Sequence, residues 1–568
     1  MGSASPFSAR VGTYYLPTPD EAVQIKGYIS ERATHIAEVD EEIERLEALR
    51  AKLNSEIEDH RSLLSPVHHL PIDILQEIFA SCLPAGHNPV VSRHEAPLLL
   101  TQVCRNWRNV MLSTPQLWSA IHIPIPSFPI DTTLHPLPGD GLSSYLATLL
   151  ALVHERMVAI HQWLERSKGS PLSISIFDAG NCPKEVCDLV LDTIIHFSPR
   201  WKHLVLDTHS CDLTRISGLA SSQVPQLQSL VVWNEVFIQN FEMTDTALNS
   251  VPLPWSTSEI IKAPRLQEIS FPQMTENIIE FPFKWSQMTV VSLGSVSGPR
   301  TVATPAMSLN QVAFFLRSCQ QLVLFQLEVP LLASPFDPNQ SPLCLPSLKS
   351  FYFHDSGIDV SSLFSILELP SITYFKFNSN SRYFKHSALE MLLPRITTLE
   401  RFITEPQFFA QGHYVKCLSH MSTLTHISIR WSPFFRTPNW SPVVDNSEDH
   451  YKVVSDDFLM WFTRPDPAGE YPAPSLESFE CDTTSEFTDG ALIAFIKKKS
   501  SLPGIKPLKR ISIRFTRPQL VDVIEDIGKE ISKHLDHDLR YPYSGPLALK
   551  GPIVYNPFGG IHAYPRSF

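Results

Sequence analysis

With 568 residues, 43% of them hydrophobic, and a mean hydropathy of -0.03, the chain can bury a large core in two or more structural units, which excludes an extended disordered polymer. Its formal net charge of -12 argues against a general nucleic-acid or membrane-surface binder, since both need a basic field. Nine cysteines with no Cys-x-x-Cys pair read as buried free thiols in a reducing compartment, and 48 prolines against 21 glycines suggest rigid corners rather than phosphate-cradling loops. No apolar run approaches the ~20 residues a membrane helix needs, and the N-terminus lacks the order of a secretory signal. These features predict an intracellular protein, cytoplasmic and/or nuclear, with no membrane partner.

Residues 1–20 read as a mobile lead. Residues 21–64 are strongly helical in pattern: Ile36, Val39, Ile43, Leu46, Arg50, Leu53, Ile57, His60 and Leu64 fall at alternating gaps of three and four. That heptad seam, interrupted by Arg50 and His60, predicts either a coiled coil that pairs the chain with a second copy or a lone amphipathic helix with a solvated charged face.

Residues 65–119 read as a set of short helices. Leu70-Pro71 opens the first, with Ile74, Leu75, Ile78, Phe79, Cys82 and Leu83 at helical spacing, and Pro84 closes it. A second stripe, Leu99, Leu100, Val103, Cys104, Trp107, Val110 and Met111, follows a thirteen-residue polar connection. Thr114-Pro115 then starts a short turn carrying Leu117 and Trp118. Helices this short cannot bury both stripes between themselves, so one flank must meet the rest of the chain or another protein. Leu70-Pro71, Ile74-Leu75, Ile78-Phe79, Leu83-Pro84, Val103-Cys104-Arg105-Asn106-Trp107-Arg108 and Leu117-Trp118 together resemble an F-box, with Asp73 where Glu is usual and a longer connection between the helices. The resemblance implies docking on the Skp-family adaptor of a cullin–RING ubiquitin ligase. It assigns the docking role to Leu70, Pro71, Ile74, Leu75, Ile78, Phe79, Leu83, Val103, Cys104, Trp107 and Trp118.

Residues 120–170 read as a linker and a packing helix: Ile121-His122-Ile123 is a brief extended strand, a proline-rich corner follows, and a long helix runs from Ser143 to Lys168. From 171 to 535 a strand of the form P-x-L-x-x-Φ-x-Φ recurs, where Φ is apolar. It appears as PQLQSLVV, PRLQEISF, QMTVVSL, QLVLFQL, PSLKSFYF, PSITYFKF, STLTHISI, PSLESFEC and KPLKRISI, with weaker copies at Leu399 and at Trp201. From Leu322 the starts lie 26, 24, 27 and 25 residues apart, and the gap from Leu424 to Leu476 is 52, twice that period. Helical stripes sit between the strands, at Cys187–Phe197, Asn310–Cys319, Val360–Leu367, Ser387–Leu393, Tyr414–Met421, Ser455–Phe462 and Thr488–Lys499. Strand plus helix at this period is the signature of leucine-rich repeats, so the predicted fold class is α/β: an N-terminal helix, an F-box module and an irregular solenoid with a parallel concave sheet. A βαβ layered sheet is the alternative, and it would need longer continuous strands. The aromatic and proline-rich stretch 431–453 either covers the solenoid edge or grips a partner, and residues 536–568 are a cap or a flexible tail.

Side chains two, four and six past each first leucine should face solvent on the concave side. They nominate Trp233, Tyr352, His354, Tyr374, Lys376, His426, Arg430, Arg510 and Arg514 as contacts for a protein substrate. The competing expectation is that Glu480 and Asp482 simply pair with Arg510 and Arg514 on the adjacent strand. His203, His209 and Cys211 are a weak metal trio, His534 and His537 lack further ligands, and Asp456-Asp457 read as a helix start. With no P-loop, GxGxxG or GxSxG motif, the expectation is an adaptor and not an enzyme, without cofactor or nucleic-acid partner. The alternative is a coiled-coil and repeat scaffold not coupled to ubiquitination.

Overall fold

The computed structural model describes residues 5–64, 70–126, 141–178, 182–208, 211–233, 255–274, 279, 281–295, 306–337, 340–355, 357–379, 388–405, 413–419, 421–430, 455–467, 469–482, 487–515 and 517–541. The chain divides into two units, Met1–Ile78 and Phe79–Phe568. The aromatic insertion at 431–453, His209, and the tail beyond 541 lie outside the described residues.

In the first unit one helix, α1, spans Pro19–Leu63. It starts two residues before the expected Glu21 because Thr-Pro-Asp-Glu is a capping sequence. The Thr18 N–H donates to Glu21 Oε2 at 2.9 Å, the Glu21 N–H reaches back to Thr18 Oγ1 at 3.4 Å, and Pro19 occupies the first turn, where no N–H is needed. Exposed pairs such as Glu42–Arg45 and Glu58–Arg61, each 2.7 Å, lie along the shaft. A second helix, α2, spans Ile72–Ser81 and carries the chain from the first unit into the second.

The second unit is built on one fourteen-stranded sheet that is parallel throughout. Its strands are β1 (Ala120–Ile125), β2 (Leu172–Asp178), β3 (Trp201–Thr208), β4 (Ser229–Trp233), β5 (Glu268–Met274), β6 (Val290–Ser295), β7 (Leu324–Glu328), β8 (Ser350–His354), β9 (Tyr374–Asn378), β10 (Arg401–Thr404), β11 (His426–Arg430), β12 (Ser478–Asp482), β13 (Arg510–Arg514) and β14 (Asp536–Arg540). Spatial order equals sequence order. No strand returns to the far side of an earlier one, so the stacking is solenoid-like and not a doubly wound sheet. The sheet begins at Ala120, inside the stretch expected to be linker and packing helix, and it runs past 535 to Arg540.

The repeat works because a strand's period of two keeps one row of side chains in register across every neighbour. Ile121, Ile174, Leu204, Leu230, Ile269, Val291, Phe325, Phe351, Phe375, Phe402, Ile427, Phe479 and Ile511 are successive register partners, and none is more than 1% exposed. In the middle of the row Phe325, Phe351, Phe375 and Phe402 stack with centroids 5.9, 5.4 and 5.7 Å apart, each ring covering the next. Connecting helices such as Lys184–Ile195, Leu309–Ser318 and Asp489–Ser501 lie within two or three residues of the stripes read from sequence, and they bury residues such as Val190, Leu316 and Phe495. Polar residues close the strand ends inside the stack: Glu405 Oε2 accepts the Ser379 N–H at 3.0 Å, and Asp355 Oδ1 accepts the Gly357 N–H at 2.7 Å.

Both sheet edges are managed. At the first, the connection after α2 is not a free polar loop. The His122 N–H donates to the Pro89 carbonyl at 2.8 Å, Val90 bridges His122, and Asn88 bonds Ser175 at 3.1 Å and Ser173 at 2.9 Å. This connection covers the edge of β1. At the last, the buried row ends in the polar His537, and the outward positions of β14 carry the charged Asp536, Asp538 and Arg540. No helix among the described residues is long and apolar enough to cross a membrane.

Candidate functional site

The side of the sheet opposite the core has its own register rows, and they bring most of the nominated contact residues together. One row runs Tyr374, Arg401, His426, Ser478, Arg510, and the next runs Tyr352, Lys376, Ile403, Ser428, Glu480. Tyr352 and Tyr374 stack at 4.9 Å with an interplanar angle of 29°. The Lys376 ammonium sits 5.7 Å from the Tyr352 ring and the Arg401 guanidinium 5.3 Å from the Tyr374 ring, so the aromatic pair carries a cation on each member. Burial and then the Tyr352 hydroxyl push the Tyr374 phenol well above its ordinary range.

Beside this pair lies a charged node. Glu480, mostly covered, takes Arg430 at 2.6 Å, Arg510 at 3.5 Å and His426 at 3.9 Å. Burial lowers the His426 pKa despite the nearby Glu480 carboxylate. The expected cross-strand pairing of Glu480 with Arg510 is therefore present, but the shorter partner is Arg430 on the other side. Arg510 also bonds Asp536. Arg401 belongs to this cluster and was not among the nominated residues. Its signal was the weak repeat at Leu399 and Phe402, which puts residue 401 two places past the leucine like the others. Trp233 stands on β4, four strands before β8, and is not part of the cluster. Arg514 lies opposite Arg540 on β14 at the C-terminal edge.

The F-box-like residues divide sharply by exposure. Leu75, Phe79 and Trp118 are at most 1% exposed and cannot meet a partner. Phe79 packs on Trp107 at 4.8 Å, and Trp118 donates its indole N–H to the Met111 carbonyl at 2.8 Å while packing edge-on to Trp163. Cys104 is the cap of the helix Arg105–Ser113, its sulfur accepting the Trp107 N–H. Leu70, Leu83 and Trp107 are partly covered and Pro71 is exposed. Ile74, Ile78 and Val103 remain open at 44, 40 and 57%, joined by Ile72 and Leu99, which the docking set omitted. The physical reason is helical phase: Leu75 and Phe79, four apart, share the inward face, whereas Ile74 and Ile78 share the neighbouring one.

The seam of α1 is exposed in the single chain, with Ile36, Val39, Ile43, Leu46, Leu53 and Ile57 all between 47 and 62%. Of the weak metal trio, His203 belongs to the outward rows of its strand, while Cys211 is buried and meets Asp178 and Cys187 instead. Asp456 is structural. Its carboxylate accepts the Thr488 N–H at 2.7 Å and braces the start of the next helix. No family model matches the chain, and no curated protein matches it closely enough to carry an inference.

Proposed function

We propose that this chain is a substrate-recognition adaptor of a cullin–RING ubiquitin ligase. On this reading its F-box-like helices dock on the Skp-family adaptor, and its irregular leucine-rich repeats offer their outward rows to a protein target. The observation that carries the reading is the split within α2: Leu75 and Phe79 anchor the helix in its own protein, while Ile72, Ile74 and Ile78 leave an apolar face uncovered. The second support is the Tyr352–Tyr374 pair with Lys376, Arg401, Arg430 and Arg510 around it. Rigid aromatic and arginine side chains on an open sheet are the residue types that anchor protein partners. The physical role is then effective concentration, since a target held on the sheet is presented to chemistry performed elsewhere in the assembly.

The test is co-purification of the full chain with a Skp-family adaptor. Ile74→Asp together with Ile78→Asp is expected to abolish it with an unchanged circular dichroism spectrum, and undiminished co-purification would remove the docking claim. Phe79→Asp is unsuitable, because a buried charge there would unfold the helix. Affinity capture by the wild type, compared with Tyr352→Ala and Tyr374→Ala, tests the target face.

A second reading is favoured by the exposed seam of α1: a scaffold that pairs two copies through residues 21–64 and has no link to ubiquitination. Dimerisation in analytical ultracentrifugation, lost on Ile43→Asp and Leu46→Asp, without any adaptor binding, is the outcome that selects it.

A further inference from the structure

The second buried cluster of chemical interest lies at the other end of the sheet, where β2 and β3 finish. The alternation of β2 puts Leu172, Ile174, Ile176 and Asp178 on the core side, so the strand's last inward position is a carboxylate, fully buried. The helix α3 (Arg105–Ser113) is followed along the chain by α4 (Gly141–Arg166) and α5 (Lys184–Ile195), and Cys187 lies in the first turn of α5, 1% exposed. Cys211, 7% exposed, comes just after β3. One ligand atom from each of Asp178, Cys187 and Cys211 lies within 4.8 Å of the others. Two thiolates on one tetrahedral zinc are about 3.8 Å apart, given Zn–S bonds of about 2.3 Å, so closing on an ion needs only a small inward adjustment.

Two further features belong to the same spot. The Cys182 thiol, five residues before Cys187, donates to the carbonyl of Pro183, the residue that caps the start of α5, at 3.6 Å. Thr208, the register partner of Asp178 on β3, is fully buried, and its hydroxyl finds no hydrogen-bond partner among the described residues. Two buried thiols and a carboxylate converging in a core are a costly way to fill space: hydrophobic residues would pack there without polar groups to satisfy. The N-terminal turn of α5 supplies positive potential toward them.

We propose that Asp178, Cys187 and Cys211, with Cys182 as the fourth donor, form a structural zinc site that ties the ends of β2 and β3 to α5. The donor set is closed and sulfur-rich, which suits a tetrahedral structural ion and not a catalytic one with an open position. Binding exchanges thiol protons for the metal: the cysteines coordinate as thiolates, their protons pass to solvent, and no oxidation state changes. The sequence carried only a faint sign of it, Cys182 and Cys187 five residues apart with Cys211 far downstream, because Asp178 enters through strand alternation and not through spacing.

The test uses the full chain purified from zinc-supplemented cells and dialysed against a weak chelator. About one equivalent of zinc is expected by elemental analysis, lost in Cys187→Ser and Cys211→Ser and kept in Cys319→Ser, a buried thiol outside the cluster. His161→Ala is also expected to keep it, which separates the site from the exposed group His161, Glu165 and His196. If the cluster variants fail to fold, cobalt-exchanged wild type still decides: thiolate-to-cobalt charge transfer with tetrahedral ligand-field bands supports the site, and Cys182→Ser should lower that charge transfer by about a third. Zinc-free protein whose cobalt form shows no thiolate band overturns the proposal. So does zinc retained by Cys187→Ser and Cys211→Ser, or a disulfide among these three cysteines in the purified chain.

Discussion

Lys499 gives a quantitative test of how the stack is held together. The helix Asp489–Ser501 carries Lys498 and Lys499 in its last turn, where cations suit the C-terminal dipole. Residue 499, however, is in phase with Leu492, Phe495 and Ile496 and is completely buried, its ammonium without a hydrogen-bond partner among the described residues. Burial lowers its pKa from 10.5 to about 8, with the Glu477 carboxylate opposing the shift only in part. At about 1.36 kcal/mol per pKa unit, this amounts to a penalty of about 3 kcal/mol on the folded state while the lysine is charged. The folded-state value lies below the unfolded one, so the penalty is complete below pH 8 and disappears as pH rises from about 8 toward the unfolded value near 10.4. Lys499→Met keeps the length of the side chain and removes the charge. Urea unfolding followed by circular dichroism should find the variant more stable than wild type by about 3 kcal/mol at pH 7, the gap closing by pH 10. A pH-independent difference, or a variant less stable at pH 7, would refute the reasoning.

Asp489 runs in the opposite sense. Burial alone would raise its pKa, but Arg517 at 2.6 Å and the Leu520 and Val521 N–H groups outweigh it, so its stabilisation holds at neutral pH and is lost as pH falls below the usual carboxylate range. Asp489→Asn should cost about 3 kcal/mol at pH 7 and flatten the acid limb of the stability profile. Phe375→Ala, which opens the middle of the phenylalanine row, should cost about 3–5 kcal/mol in denaturant unfolding, whereas Lys376→Ala next to it should change stability little. Asn88→Ala should speed hydrogen exchange of the β1 amides at residues 120–125 without changing exchange in β8 to β10, because it uncovers only the first edge.

The repeat was legible because period two and period 25 are both written in side-chain type. The phenylalanines at 325, 351, 375 and 402 mark core and register together, and the outward positions follow from them without any further assumption. What sequence missed, it missed for identifiable reasons. Asn88 and Val90 look like loop residues, since nothing local says that a backbone carbonyl at Pro89 completes a sheet edge 33 residues later at His122. Leu75 and Phe79 carry the same motif letters as Ile74 and Ile78, and only helical phase against a particular core separates anchor from open face. The cysteine and aspartate cluster draws on two strand ends and a helix start, a juxtaposition that no linear spacing encodes.

A strand that buries one face and presents the other separates two kinds of selection. Inward positions are held by a register partner on each adjacent strand, so exchanging one costs stability on both sides of it. Outward positions such as Tyr352, Lys376, Arg401 and Arg430 touch only adjacent outward residues, so their identity can follow a partner at small cost to the fold. The same logic bears on where partners attach. Twenty of the twenty-eight exposed large apolar side chains among the described residues fall in the first 112 residues, and in the strands of the fourteen-stranded sheet there are none. The repeats thus hide their hydrophobic surface and offer polar, aromatic and cationic groups, which suits reversible capture of a target. The N-terminal helices leave apolar surface uncovered at Ile43, Leu46, Ile74 and Ile78, which suits stable assembly. The two experiments on those helices should therefore show tight association with low salt dependence, and capture on the sheet face should weaken as ionic strength rises.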